Sequence, residues 1–275
     1  MSQAAQDGVP LPAKVRVHHL RQMKERGEKI TMLTAYDVPT ARVFDAAGID
    51  MLLVGDSIGD NMLGHSSTIP VTLDEMVVAS RAVVRGTQRA FVVADLPFGT
   101  YEASPEQCHA SAVRLVKEAG VAAVKLEGGE HMAAQVRLLT NSGIPVVGHL
   151  GFTPQSENLL GGKRIQGRGH DAEERLVADA KALQDAGAIA VVLEMVPGKV
   201  ARRVTEVLQI PTIGIGAGPD VDGQVLVWTD MAGVNSWSPR FAQRFGNVGD
   251  ELFAAARRYA AAVRDVQFPA DEHTY

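Results

Sequence analysis

Five stretches of the chain carry an apolar run into an ionisable side chain. AAGIDMLLVGDS holds Asp56, GTQRAFVVADLP holds Asp95, AGVAAVKLEGG holds Glu127, SGIPVVGHLG holds His149 and AGAIAVVLEMVP holds Glu194. Three or more carboxylates brought to one place repel each other unless a cation joins them. A hard divalent ion meets that need, and Mg2+ takes one or two carboxylates together with water and substrate oxygens. Asp56 and Asp95 are the candidate ligands, because each is a short acid following an apolar strand. Glu127 would complete the shell directly or through water. Singly, each acid reads equally well as a helix cap or a loop anchor. The set points to chemistry.

Lys125 stands between Val124 and Leu126 in a run that reads as buried. One reading pairs it with Glu127, two residues along on the same strand face. A second makes it the cation that holds a substrate carboxylate, and the two are compatible. A Schiff-base lysine is a third reading, which a metal-based mechanism makes unnecessary. Glu194 lies between Leu193 and Met195, an apolar setting that disfavours the ionised carboxyl and suits a general base. A structural ion pair is its other reading. His149 fits a hydrogen bond to substrate, or the orienting of a carboxylate, better than metal ligation. The glycine-rich segment 214–218, GIGAG, suits either phosphate binding after a seventh strand or a close backbone passage at the mouth.

These residues need a scaffold that gathers strand ends. Apolar, strand-like runs occur at 30–35, 51–54, 90–94, 122–126, 145–148, 188–193, 212–215 and 224–228, with helical segments between them. Their near-continuous Val, Ile, Leu and Ala suit a parallel sheet covered on both faces. Thr72 with Glu75, and Ser104 with Gln107, have capping-box spacing. Eight such alternations predict an α/β fold, a (β/α)8 TIM barrel, ahead of a doubly wound sheet. A barrel would collect Asp56, Asp95, Glu127, His149 and Glu194 at one mouth, whereas an open sheet would spread them along an edge. The amphipathic segment 15–28 precedes the first strand and is placed to close the barrel bottom. A last helical stretch is expected over 239–266, broken near 246–249. The whole of 1–275 reads as one barrel domain, with a loose arm at 1–14 and a polar tail at 267–275.

At these positions the sequence resembles the ketopantoate hydroxymethyltransferase family. The matching segments are TAYD, LVGDS, ADLPF, VKLEGGE, GHLGFTPQS, QGRG, LEMVP, IGIGAG, DGQVLV and FPADEH, spread in order over residues 31–273. The resemblance implies a (β/α)8 barrel that binds Mg2+ and uses 5,10-methylenetetrahydrofolate. It would hydroxymethylate 3-methyl-2-oxobutanoate through a Mg-stabilised enolate, giving 2-dehydropantoate (ketopantoate) and tetrahydrofolate for pantothenate and coenzyme A synthesis. It also implies Asp56 and Asp95 as metal ligands and Glu127 as the third acid of the metal site. Asp56, Ser57, Asp95 and Lys125 would contact the oxo acid, with His149 near it and Glu194 accepting the proton. Family members form large homo-oligomers, often decamers. A Mg-dependent 2-oxo-acid lyase on the same barrel, and a barrel used only for binding, are the competing readings.

Composition narrows the partners. The formal net charge of −5 is spread without a basic stripe, which argues against nucleic acid. Cys108 is the only cysteine, so no intrachain disulfide can form, and within a helical segment it reads as packing. No basic-then-apolar leader and no apolar run of the ~20 residues that span a bilayer are present. The expectation is a cytoplasmic enzyme without a membrane partner.

Overall fold

In the computed structural model, residues 13–275 are described. The arm expected at 1–14 therefore falls, up to residue 12, outside the described residues. Eight parallel strands pair in sequence order and close on themselves, β8 beside β1. They are β1 (Ile30–Thr34), β2 (Met51–Val54), β3 (Phe91–Asp95), β4 (Ala123–Glu127), β5 (Val146–Gly151), β6 (Ala190–Glu194), β7 (Thr212–Ile215) and β8 (Gly223–Leu226). The architecture is the (β/α)8 barrel that the alternation predicts.

Helix α1 (Val17–Arg26) precedes the barrel. Between strands lie α2 (Val38–Ala46), α3 (Ile58–Asn61), α4 (Leu73–Gly86), α5 (Pro105–Arg114), α6 (Ala133–Asn141), α7 (Glu157–Leu160), α8 (His170–Asp185) and α9 (Gly198–Val207). Local chemistry sets their starts. The Asp37 carboxylate accepts from Thr40 N, with Pro39 in the first turn, and Thr72 and Glu75 cap each other reciprocally. At α5 only half of the expected box forms. Ser104 accepts from Gln107 N, but the Gln107 side chain turns back to Ala103 N and Gly99 O. Gly187 supplies a left-handed turn (φ 102°) before β6, where a Cβ would lie 2.8 Å from Thr140 Oγ1.

Alternate residues of each strand fill the barrel. Ile30 and Met32, Met51 and Leu53, Phe91 and Val93, Ala190 and Val192 belong to one buried cluster with Ala123, Val147, Ile213 and Val225. Val15 and Leu20 join it from the N-terminal side, with Val17 and Met23 packed against it, so α1 closes the bottom as expected. Lys24 Nζ secures that plug, donating to Asp222 Oδ2 at 2.7 Å and Thr205 O at 3.0 Å.

Three boundaries differ from the sequence reading. Strand β5 runs to Gly151, so His149 lies inside a strand and not past its end. Strand β8 stops at Leu226, where its pairing with Leu33 of β1 ends. Beyond it Trp228 opens a short helix, α10 (Trp228–Met231). Finally, α11 (Val248–Arg264) begins nine residues later than the expected 239. In the segment before it Phe245 N donates to Met231 O at 2.8 Å, and the first-turn N–H groups of Val248 and Gly249 donate to Ala232 O and Gly233 O.

The chain forms two units, the barrel up to Leu226 and a second one over Val227–Tyr275 holding α10 and α11. No residue of α11 is buried. Among the described residues no helix is long and apolar enough to cross a membrane.

Leu20 is 1% exposed at the barrel bottom, far along the axis from the strand ends. Leu20→Ala is expected to lower unfolding free energy by about 2–5 kcal/mol, read from denaturant melts. An unchanged midpoint would show that α1 is not part of the cooperative core.

Candidate active site

Strand parity decides which side chains enter the barrel. Asp95 continues the inward column of Phe91 and Val93; Lys125 and Glu127 continue that of Ala123; His149 follows Val147, and Glu194 follows Val192. All five therefore point into the C-terminal end of the barrel above its apolar filling. Asp56 lies two residues past β2 and reaches the same place because its N–H donates to Asp95 Oδ2 at 3.1 Å. Ser57 sits beside it, its hydroxyl 2.8 Å from the Tyr36 hydroxyl. The structure brings every sequence-predicted site residue to this one end.

The contacts form a chain across four strands. Lys125 Nζ is 2.9 Å from Asp95 Oδ1 and 3.3 Å from His149 Nδ1. That imidazole lies between two acids, with Nδ1 3.3 Å from Glu127 Oε1 and Nε2 3.4 Å from Glu194 Oε2. The expected pairing of Lys125 with Glu127 is replaced by one with Asp95. Residues two apart on a strand are about 6.6 Å apart along it, whereas in-register neighbours on adjacent strands are only about 4.8 Å apart. Asp95 is the register partner of Lys125, and His149 that of Glu127.

Burial shapes the electrostatics. Asp56, Asp95, Lys125, Glu127 and His149 are all buried, while the Glu194 side chain keeps 17% of its surface exposed. Burial pushes the Asp56 carboxyl well above the usual carboxylate range, and the charges of Asp95 and Glu127 push it further. Burial also raises Asp95, against the pull of Lys125. For Lys125, burial disfavours the ammonium, but Asp95, Glu127 and Asp56 outweigh it and hold the side chain charged. For His149, burial and Lys125 oppose protonation, while the nearby carboxylates of Glu127 and Glu194 raise the imidazole to about 9. The apolar setting inferred for Glu194 from Leu193 and Met195 is not what its carboxylate meets. Leu193 is fully buried on the opposite strand face, and the carboxylate lies against His149. Met195 then takes a left-handed backbone turn, φ 49°.

These residues fit a hard divalent ion. Asp56 and Asp95 are neighbouring buried acids whose ionisation is opposed by burial, and Asp95 Oδ1 has no hydrogen-bond donor other than its ion-pair partner Lys125. Among the described residues no three His, Cys, Asp or Glu side chains already converge as a metal shell. Glu127 has both oxygens engaged, Oε1 near His149 and Oε2 accepting from Gln155 N at 3.0 Å.

Gln155 is the residue the sequence reading missed. It sits in a single 3-10 turn, Pro154–Ser156, and is 4% exposed. Its Nε2 donates to Asp56 Oδ2 at 2.8 Å and to Leu96 O at 3.0 Å, using both amide hydrogens. Its Oε1 accepts from the buried Tyr101 hydroxyl at 2.6 Å, and that hydroxyl accepts from Glu127 N at 3.2 Å. Tyr101 thus fixes which way the amide faces. A glutamine within the loop GFTPQS carries no periodic signal, and only its place directly after Pro154 could have drawn attention to it. Cys108, read as packing, is fully buried, and burial pushes its thiol up to about 12.

The chain matches the model of ketopantoate hydroxymethyltransferase over residues 14–271. A 3-methyl-2-oxobutanoate hydroxymethyltransferase from Saccharopolyspora erythraea is 59% identical over 267 residues, 97% of this chain and 91% of the relative. Among solved structures, a phosphonopyruvate hydrolase in complex with oxalate and Mg2+ superposes with a TM-score of 0.60 at 14% identity, over 94% of this chain and 93% of the other. A 2,3-dimethylmalate lyase of the PEP mutase/isocitrate lyase superfamily gives 0.58 at 18% identity, over 94% and 91%. At such identities the last two speak for the barrel alone.

The Gln155 contacts predict a metal-affinity effect. Gln155→Ala is expected to weaken Mg2+ binding about 10–100-fold, measured by calorimetry, with the fold retained by circular dichroism. Tyr101→Phe should weaken it less, because the amide loses its orientation but keeps its donors. Equal affinity in the wild type and Gln155→Ala would reduce Gln155 to a packing role.

Proposed function

Because the chain belongs to the ketopantoate hydroxymethyltransferase family, we propose that the acids, lysine and histidine at its barrel mouth are where 3-methyl-2-oxobutanoate gains a hydroxymethyl group. The transferase activity, forming ketopantoate for pantothenate synthesis, follows from the family. The assignment of roles to residues is our reading. Mg2+ held by Asp56 and Asp95, with Glu127 reached directly or through water, would supply a Lewis acid for the oxo acid's oxygens.

The chain's own residues do the rest. Lys125 presents a buried charge to the substrate carboxylate, and Asp56, Ser57 and Asp95 border the same space. Glu194 accepts the C3 proton, and the enolate carbon bonds to the methylene carbon of 5,10-methylenetetrahydrofolate as one of its two carbon–nitrogen bonds breaks and that nitrogen takes up a proton. Cleavage of the remaining carbon–nitrogen bond, with water supplying the hydroxyl, releases 2-dehydropantoate and tetrahydrofolate. The observation that carries the choice of Glu194 is its position. Among the four acids it alone is partly exposed, and its Oε2 lies 3.4 Å from His149 Nε2, which can orient it.

Glu194→Gln is expected to abolish deuterium exchange at C3 of the oxo acid while Mg2+ and oxo acid still bind. Near-normal exchange in that variant would move the base elsewhere. In the unaltered protein, product should require the folate. Product from the oxo acid alone would overturn the transferase reading in favour of a lyase.

We also propose a cytoplasmic homo-oligomer, decameric as the family resemblance implies. Its support here is the exposed apolar stripe of α11, where Val248, Leu252, Tyr259 and Val263 recur at helical spacing. Sedimentation is expected to show a large assembly that Leu252→Asp shifts to smaller species. A monomeric wild type at micromolar concentration would end this proposal.

A further inference from the structure

Ser57 stands at the start of α3, where a serine hydroxyl ordinarily accepts from a backbone N–H two or three residues on. Here it makes no such bond. The hydroxyl instead folds back over the end of β2. Gly55 makes room for it, since a Cβ there would lie 2.7 Å from Ser57 Oγ and 3.4 Å from Asp95 Oδ2. In that position Ser57 Oγ meets the Tyr36 hydroxyl at 2.8 Å. The chain has left one helix uncapped and turned the serine towards the site.

Tyr36 is itself placed by β1. Ala35 still pairs with β2, donating its N–H to Leu53 O at 2.9 Å, so strand alternation runs on past Thr34. Ile30 and Met32 fill the barrel, and Thr34 and Tyr36 follow them in the same column. The Tyr36 side chain is buried, and its hydroxyl is bonded to the Thr34 side chain as well as to Ser57. Burial pushes the phenol up, which keeps the proton on its oxygen. Three hydroxyls are therefore joined in series, from Thr34 through Tyr36 to Ser57.

Such a series has two polarities, because each hydroxyl can donate or accept. Protons directed from Thr34 towards Ser57 leave the Ser57 proton for a ligand. Directed the other way, they leave only its lone pairs. An anionic ligand needs donors and selects the first arrangement, in which each bond strengthens the next. We propose that Tyr36 is a positioning residue whose hydroxyl holds the Ser57 hydroxyl as a donor to the carboxylate of the bound 2-oxo acid. The inference deepens the transferase reading above and rests on its placing of the oxo acid beside Ser57. Because the Tyr36 hydroxyl acts through Ser57, its effect disappears once Ser57 loses its oxygen.

A double-mutant cycle on the full-length protein tests this with Mg2+ present. Affinity for 3-methyl-2-oxobutanoate is read by calorimetry, and KM and kcat from C3 exchange. Ser57→Ala is expected to weaken the oxo acid about 10–100-fold, the loss of a hydrogen bond to a charged group. Tyr36→Phe keeps the ring and its packing, and is expected to weaken it about 2–10-fold, in KM and not in kcat. Tyr36→Phe combined with Ser57→Ala should bind no more weakly than Ser57→Ala alone. Mg2+ affinity without the oxo acid should be the same in Tyr36→Phe as in the wild type. Additive losses in the double variant overturn the proposal, as does unchanged oxo acid affinity in either single variant. An equal loss of Mg2+ affinity in Tyr36→Phe overturns it too, by making the side chain a structural support. A wild type that binds the oxo acid without exchanging C3 overturns the transferase reading instead, and the calorimetric cycle still decides the role of Tyr36.

Discussion

Excess negative charge in a dry barrel end is the constraint from which the rest follows. Among the described residues, Asp56, Asp95, Glu127 and Glu194 share one barrel end with Lys125 and with His149, whose imidazole its acid neighbours push up to about 9. Burying such a set without compensation costs several kcal/mol per unpaired ion. Burial accordingly pushes the carboxyls of Asp56 and Asp95 above the usual carboxylate range. Four carboxylic acids outnumber the two basic side chains beside them, and a divalent cation would offset that excess. The same acids explain why Lys125 stays charged where burial would otherwise neutralise it.

Holding like charges together requires rigid supports, and the fold provides them in layers. The apolar filling below, closed by α1, packs the barrel bottom. Register then places Lys125 beside Asp95 and His149 beside Glu127, so opposite charges meet across strands. Above them, Gln155 and Tyr101 link Asp56 to Glu127 through neutral donors. A neutral amide orients acids without adding charge of its own. Replacement of that amide by another cation would compete with a metal for the same carboxylates.

The barrel and most of its site were legible because both depend on strand periodicity. Apolar runs separated by helical segments define eight strands, and acids at run ends have to meet when those strands close. His149 was visible for the same reason, although its strand extends two residues beyond it. What could not be read depends on pairing between strands or on single turns. The partner of Lys125 is a matter of register, which one strand alone does not specify. Gln155 enters through a three-residue turn with no pattern of its own. The late start of α11 goes with a backbone bond from Phe245 N to Met231 O in the segment before it, which helix propensity cannot anticipate.

Glu194 differs from the other acids in a way that follows from geometry more than from its neighbours in sequence. The remaining three are tied on several sides, whereas Glu194 has one charged neighbour and an exposed edge. A carboxylate fixed by several donors is poorly suited to taking a proton, because protonation would forfeit those bonds. One that leans on a single imidazolium gives up less and can turn towards a substrate at the mouth. The backbone around it is constrained where its side chain is not. Met195 turns left-handed directly after it, and Gly151 leaves room for nothing but hydrogen against its carbonyl. A fixed main chain bearing a side chain with one partner lets the carboxylate move a short way without disturbing the acids below.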